Sequence, residues 1–372
     1  MTKILYLANI RLPTEKAHGL QILKTCEALA AAGADIELVV PRRKNRITED
    51  AFSYYGIRTR FPITTIGVPD TVAYGMLGFL LESFVFAFRA ALLARRREYD
   101  LLYSRDELVL WVARAKGCKN LVWESHTGSW NIFARGVAQA AKCIVVISDG
   151  LKDFYAARGV AAEKLVVARD GIDLNDFTQT EPAAEARTRL GLPPGKKIVL
   201  YAGRLDGWKG SATLLEAARL FPEDARLAVI GGEPEQIAPL RRKYPEVSFL
   251  GYRPYRELPE NMAAADLLVL PNTAADVISA RFTSPLKLFA YMASGKPIVA
   301  SDLPSIREVL DDTCAYFFTP DNPQDLARAV EQVLSDAESA HERGRAARQK
   351  AVHSFRMVLY LSTGGNWPPP QP

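Results

Sequence analysis

The sequence is poor in the residues that build covalent or metal-centred scaffolds. Its 372 residues include only four cysteines, Cys26, Cys118, Cys143 and Cys314, far apart and without a CxxC pair. That argues against a disulfide framework or a structural zinc site and fits a reducing, cytoplasmic location. No GxGxxG follows the first strand candidate of either half, so nothing favours a dinucleotide cofactor. No acidic pair has a metal signature, and no Ser/His/Asp arrangement supplies a nucleophile. Charge of one sign is also scarce. The 47 Lys and Arg face 42 Asp and Glu, a net +5 spread along the chain, which does not suit a nucleic-acid partner.

An uninterrupted membrane-length apolar run is missing too. The most lipid-like stretch, Val72 to Ala94, contains Glu82 and Arg89, each costing about 2.5–3.5 kcal/mol at the centre of a spanning helix. It reads first as a core-packed helix with a solvated basic end at Arg95-Arg96-Arg97. The alternative is an interfacial surface of Phe84, Phe86, Phe88, Leu92 and Leu93 on the cytoplasmic face of the inner membrane. The N-terminal Met1–Asn9 lacks a small-residue cleavage site and reads as a first β-strand rather than a signal peptide.

What is present is ordinary globular composition, 48% hydrophobic and 24% charged, on a chain about twice the length of one compact core. Short β-branched runs alternate with helical patterns. Strands are expected at Lys3–Ala8, Asp35–Val40, Leu101–Tyr103, Leu121–Glu124, Cys143–Ile147 and Leu165–Ala168. A second series follows at Lys197–Ala202, Arg226–Ile230, Val247–Leu250, Leu267–Leu270 and Pro297–Ala300. Nearly continuous apolar strands such as Ile198-Val199-Leu200-Tyr201-Ala202 suit parallel sheets buried on both faces. The fold class is therefore α/β, with two Rossmann-like doubly wound domains at residues 1–172 and 173–353, and an atypical tail at 354–372. Such sheets bind ligands outside the carboxyl ends of their strands, and two of them are expected to face a central cleft.

Three places could carry chemistry. The loop Gly203-Arg204-Leu205-Asp206-Gly207-Trp208-Lys209-Gly210 leaves a strand and brings two cations with it, with Ser211 as a candidate N-cap. Arg grips phosphate in a fork, whereas Lys supplies a mobile point charge; the bland alternative is a solvated turn. Next, Ser284 as N-cap and Pro285 as first helical residue open a helix closed by Gly295, and its free N–H groups suit an anion. In the first half, Ala17-His18-Gly19 lies between strand and helix, and His126 follows the strand ending at Glu124. A lone histidine is more often structural than catalytic.

Taken in order, these segments resemble glycosyltransferase family 4, the retaining, metal-independent transferases of GT-B fold. The resemblance covers roughly residues 3 to 352. It rests on Ala17-His18-Gly19, Glu124-Ser125-His126-Thr127, Arg169-Asp170-Gly171-Ile172-Asp173, Gly203-Arg204-Leu205 with Lys209-Gly210, and Gly231-Gly232-Glu233-Pro234. Phe249-Leu250-Gly251-Tyr252, Ser284-Pro285-Leu286-Lys287 and Met292–Ala300 complete it. The resemblance implies that Arg204 and Lys209 neutralise the donor diphosphate, helped by Gly19 and by the helix start Ser284, Pro285, Leu286 and Lys287. It places Gly251 and Tyr252 at the nucleotide base and His126 at the sugar. It further implies a UDP-hexose donor as substrate, no cofactor or metal, and a glycan or lipid-linked acceptor.

Two departures stand out. The family's E-x7-E acids fall at Phe282 and Ala290, and the second acid normally holds the ribose hydroxyls, which Ala290 cannot do. The tail, with Gly364-Gly365 and four prolines among its last five residues, cannot continue a helix. A catalytically silent nucleotide-sugar binder is therefore the rival reading. A nucleotide-sugar epimerase on the same architecture is a weaker rival, since no convincing acidic proton-transfer set stands out.

Overall fold

The computed structural model describes residues 1–178, 181–205 and 207–354, with no side-chain detail for 352–354. Asp206 and the segment 355–372, most of the expected tail, lie outside the described residues. The chain divides into two compact units, Met1–Arg169 and a second beginning at Asp170. The boundary falls three residues before the expected one. Asp170 N–H donates to Ser284 Oγ (3.1 Å), and Ile172 packs on the core of the second unit, so this short segment belongs there.

The first unit is a seven-stranded parallel sheet. Its strands are β1 (Lys3–Leu7), β2 (Asp35–Arg42), β3 (Ile63–Gly67), β4 (Leu101–Ser104), β5 (Leu121–Ser125), β6 (Cys143–Val146) and β7 (Leu165–Val167). They lie in the order β3-β2-β1-β4-β5-β6-β7. Its helices are α1 (Ala17–Ala31), α2 (Ala51–Tyr55), α3 (Gly75–Ala94), α4 (Glu107–Ala115), α5 (Ile132–Ala140) and α6 (Asp149–Ala156). The central strands are apolar on both faces because helices cover both. β4 and β6 are buried at every position, and in β1 only Lys3 is exposed.

The second unit has six parallel strands, β8 (Lys197–Ala202), β9 (Ala225–Ile230), β10 (Ser248–Gly251), β11 (Leu267–Leu270), β12 (Ile298–Ser301) and β13 (Tyr316–Phe318). Their order is β10-β9-β8-β11-β12-β13. The helices are α7 (Ala183–Arg189), α8 (Ser211–Ala218), α9 (Pro234–Lys243), α10 (Leu258–Ala263), α11 (Leu286–Ser294), α12 (Pro304–Arg307), α13 (Pro323–Ser335) and α14 (Ala337–Ser354). One apolar cluster, with Leu200, Leu268, Leu288, Phe289 and Ile306, fills one side of this sheet. A second, with Val199, Leu227, Val269, Leu326 and Val330, fills the other.

Eleven of the thirteen strands stand where the apolar runs put them, within one or two residues at each end. The other two, β3 and β13, are sheet edges. β3 is only partly buried and rich in Thr, and β13 has three residues, so neither shows a core-strand signature. The α3 expectation is met on one side only. Phe86, Ala87, Ala90, Ala91 and Ala94 are buried, while Leu77, Leu81, Phe84 and Phe88 are exposed.

Candidate functional site

In each sheet the chain reverses its direction of strand addition beside the first strand, between β8 and β11 in the second unit and between β1 and β4 in the first. The loops after those strands form the crevice in which open α/β sheets hold ligands.

In the second unit the loop after β8 is pressed onto the loop after β11. Gly210 has φ +69°, and a side chain there would collide with the Pro271 carbonyl oxygen, so only glycine closes this contact. Gly210, rather than Ser211, is the N-cap of α8; Ser211 is the first helical residue and is buried, which corrects the sequence expectation. Arg204 is exposed and Lys209 partly buried on this loop. Lys287 meets them from α11. Its Nζ donates to Tyr201 Oη (3.3 Å) and lies 4.4 Å from the centre of the Tyr201 ring. Tyr201 Oη donates onward to the Arg204 carbonyl oxygen (2.8 Å), tying the loop to this tyrosine. Burial, and then the nearby Lys209 charge, push the Lys287 pKa well below the usual lysine value. No carboxylate among the described residues reaches the Lys287 ammonium. A cation without a counter-ion, repelled by a second cation, is a place where an incoming anion gains energy.

The start of α11 differs from expectation. Pro285 is the N-cap and not the first helical residue, and no side chain caps the helix. Ser284 does not cap because its hydroxyl accepts the Asp170 N–H instead. The consequence favours an anion. Leu288 N–H bonds the Pro285 carbonyl oxygen (2.8 Å), and the N–H groups of Leu286 and Lys287 have no partner among the described residues. Free N–H groups at a helix start favour an anion.

Gly251 ends β10 with φ +72°, its carbonyl oxygen accepts the Gly231 N–H (2.8 Å), and Tyr252 beyond it is 49% exposed. Ala290 lies three residues after Lys287 and hence on an adjoining part of the helix surface. It is fully buried in the apolar cluster. Expected against a ribose, it presents no open surface here, because Leu288, Phe289 and Tyr291 carry this helix into the core.

In the first unit the centre is Glu124, which sequence reasoning quoted but gave no role. It is buried at 4% exposure on β5. Its Oε1 lies 2.7 Å from Arg105 and 2.7 Å from His126 Nε2, and its Oε2 accepts from Tyr103 Oη (2.8 Å). Burial opposes its charge, yet Arg105 and His126 outweigh that and hold the carboxyl below the ordinary range. Glu124 therefore fixes Nε2 of His126 as the donor, and Nδ1 has no partner among the described residues. The signal was present: a Glu interrupts an apolar strand two residues before the histidine, so both lie on one side of it.

Gly19 moves from the expected loop into the first turn of α1. A Cβ there would run into the Tyr55 hydroxyl, so packing alone demands glycine at this position. His18, beside it, is pushed down to about 4 by burial, with Lys16 and Arg105 adding to the effect, and is neutral at pH 7. Also at this crevice, Asp106 accepts the Asn9 N–H (3.1 Å), and the Asn9 amide donates to Glu82 (3.2 Å) and Ser83 (3.0 Å). Burial, with help from Glu107 and Glu82, raises the Asp106 carboxyl to about 6.

The comparisons with known proteins follow this division of the chain. A family model described as Glycosyltransferase Family 4 matches residues 19–176, and one described as Glycosyl transferases group 1 matches residues 183–350. Over 229 residues the chain is 29% identical to a sulfoquinovosyl transferase, SQD2, of Arabidopsis thaliana, covering 59% of this chain and 43% of that one. Over 218 residues it is 29% identical to a D-inositol 3-phosphate glycosyltransferase of Streptomyces bingchenggensis, covering 54% and 46%. The chain thus spans less than half the length of these two relatives. Among solved structures, Anabaena Alr3699/HepE in complex with UDP and glucose superposes with a TM-score of 0.75 at 21% identity, over 96% of each chain. The fold is that of the GT-B glycosyltransferases, and with both family models matched in sequence, the chain belongs to the group 1 and family 4 glycosyltransferases.

Proposed function

We propose that this protein is a retaining glycosyltransferase that moves a hexose-type sugar from a nucleoside diphosphate, UDP foremost, to a glycan or lipid-linked acceptor in the cytoplasm. The observation that carries the reading is the Lys287 ammonium, held on Tyr201 and repelled by Lys209 without a described carboxylate, on the helix whose first N–H groups, those of Leu286 and Lys287, have no partner among the described residues. In this reading Lys287, Lys209, Arg204 and the helix start neutralise the diphosphate. Their effect grows as the glycosidic bond breaks and negative charge collects on the leaving phosphate, which is differential stabilisation of a transition state. That positive charge takes the part a divalent metal plays elsewhere. Retention follows from same-face attack assisted by the leaving phosphate and requires no protein nucleophile. In the first unit His126, its tautomer directed by Glu124, offers Nδ1 as acceptor for a sugar hydroxyl.

One observation favours a second reading, a silent nucleotide-sugar binder: Ala290 is buried and carries no acid. The two readings part in one experiment. Thermal-shift titration with UDP, UDP-hexoses and UMP is followed by an assay of donor hydrolysis. UDP at about a hundred times its dissociation constant is expected to stabilise the protein by ~2.7 kcal/mol, UMP by much less, and a UDP-hexose to be turned over. Binding without turnover selects the silent binder. No response to any diphosphate rejects both.

A further inference from the structure

The helix α3 is long and apolar enough, taken with the turn before it, to cross a bilayer by length and composition. Its packing says otherwise. Gly78, Glu82, Phe86, Ala87, Ala90, Ala91 and Ala94 form a continuous stripe buried against the first unit. The helix lies along that unit and does not stand free of it. The opposite stripe is apolar and exposed: Leu77 at 81%, Leu81 at 53%, Phe84 at 45% and Phe88 at 44%. These four fall on one line of the helix, and Arg95, 18 residues or five turns after Leu77, continues that line. Ile132 at the start of α5 is also exposed (71%), and the Phe84 and Phe133 rings, 6.4 Å apart, bring that helix start to the same place.

The charges around this face are mostly cationic, with Glu98 and Asp100 exposed beyond its basic end and Glu37 paired to Arg97 (3.4 Å). Between residues 72 and 97 the cations Arg89, Arg95, Arg96 and Arg97 are exposed, and the one carboxylate, Glu82, is fully buried. Between 108 and 141, Arg114, Lys119 and Arg135 are exposed and Lys116 is half-buried, and the one carboxylate is the buried Glu124. Lys116 Nζ lies 4.5 Å from the centre of the Phe88 ring, directly at the edge of the apolar stripe. A second copy of this chain would bring the same cations against one another across a two-fold interface. An anionic bilayer offers both an apolar layer for the stripe and counter-charge for Arg95, Arg96 and Lys116.

We infer that α3 is a membrane-docking helix: its Leu77–Phe88 face enters the headgroup boundary of an anionic bilayer, and the Arg89–Arg97 end and Lys116 hold lipid phosphates. The helix lies parallel to the membrane plane, with its apolar face about 5–10 Å deep. This surface is independent of the donor chemistry proposed above.

The test is flotation of the purified protein with vesicles of phosphatidylcholine alone and of phosphatidylcholine mixed with phosphatidylglycerol. The protein is expected to float with the mixed vesicles, less so at high salt, and not with the neutral ones. The variant Leu77→Asp/Leu81→Asp is expected to lose flotation. Arg95→Glu/Arg96→Glu, which leaves the apolar face intact, is expected to weaken it about tenfold or more. Far-UV circular dichroism and melting temperature confirm that each variant is folded, and a blue shift of Phe84→Trp fluorescence on mixed vesicles reads insertion without disturbing charge. Equal binding to both vesicle types overturns the inference, as does undiminished flotation of Leu77→Asp/Leu81→Asp. So does a dimer in sedimentation equilibrium that Leu77→Asp/Leu81→Asp dissociates.

Discussion

Replacing Lys287 by Met is expected to make the free protein more stable and its diphosphate complex weaker, two effects of opposite sign from one side chain. Met keeps the apolar stem and removes the ammonium. In the wild type, burial and Lys209 depress the native pKa of this group, and each unit of depression costs the folded state about 1.4 kcal/mol. Against this stand a 3.3 Å hydrogen bond to Tyr201 and the contact with its ring, the latter worth about 0.5–2 kcal/mol, rising with desolvation. The native pKa lies below the unfolded value of about 10.4. The penalty is therefore full below the native pKa and disappears as pH rises toward the unfolded one. Lys287→Met should melt higher than wild type at neutral pH, by about 2–4 °C per kcal/mol, and the gap should close as the buffer becomes alkaline. UDP binding moves the other way. A lost charge-assisted bond costs about 1.5–3 kcal/mol, or ten- to more than a hundredfold in affinity. At a pH above its native pKa, wild-type binding should also take up a proton, because the diphosphate raises the lysine pKa. Differential scanning calorimetry across pH and titration calorimetry in two buffers read both effects. A variant that melts lower by the same amount at every pH and binds UDP as well as wild type would refute the reasoning.

Glu124→Gln leaves Arg105 facing a neutral amide and should cost about 3–5 kcal/mol in urea unfolding at pH 7. Because the native Glu124 pKa is depressed, the wild type loses this advantage as pH falls below the unfolded carboxyl value, about 4.3, and through the native one. The 15N shifts of His126 should show a mixed tautomer in Glu124→Gln, where the wild type shows Nε2–H. Asp106→Asn keeps an acceptor for the Asn9 N–H and removes a carboxyl raised to about 6. It should stabilise by about 1–3 kcal/mol above pH 6 and have no effect near pH 3, where both states of the wild type are protonated. Ala290→Glu should tighten UDP binding about tenfold or more while lowering the melting temperature, since its carboxylate enters an apolar cluster in the free protein; unchanged affinity would remove position 290 from the ribose site.

Legibility was uneven within the site. The anion-binding segments of the second unit are contiguous motifs, and glycines and cations near strand ends advertise themselves. The cap of α11 was misread because Ser-Pro at a helix start has a standard interpretation, and only a partner more than a hundred residues away, Asp170, redirects the Ser284 hydroxyl. Glu124 was passed over because a single acid in an apolar strand has no meaning until Arg105, Tyr103 and His126 are seen to converge on it. In α3 the alternation of small and large apolar residues marks a helix but leaves open which of two apolar faces is covered.

What local sequence decided by itself was the set of central strands and their parallel, doubly wound character. Runs of β-branched and apolar residues too continuous for one-sided burial have no other stable environment. What the tertiary structure alone decided were the long-range pairings: which hydroxyl caps and which is diverted, which lysine meets no carboxylate among the described residues, and which apolar face remains in water. Those outcomes depend on groups far apart in the chain competing for the same partner, and no local pattern records who wins.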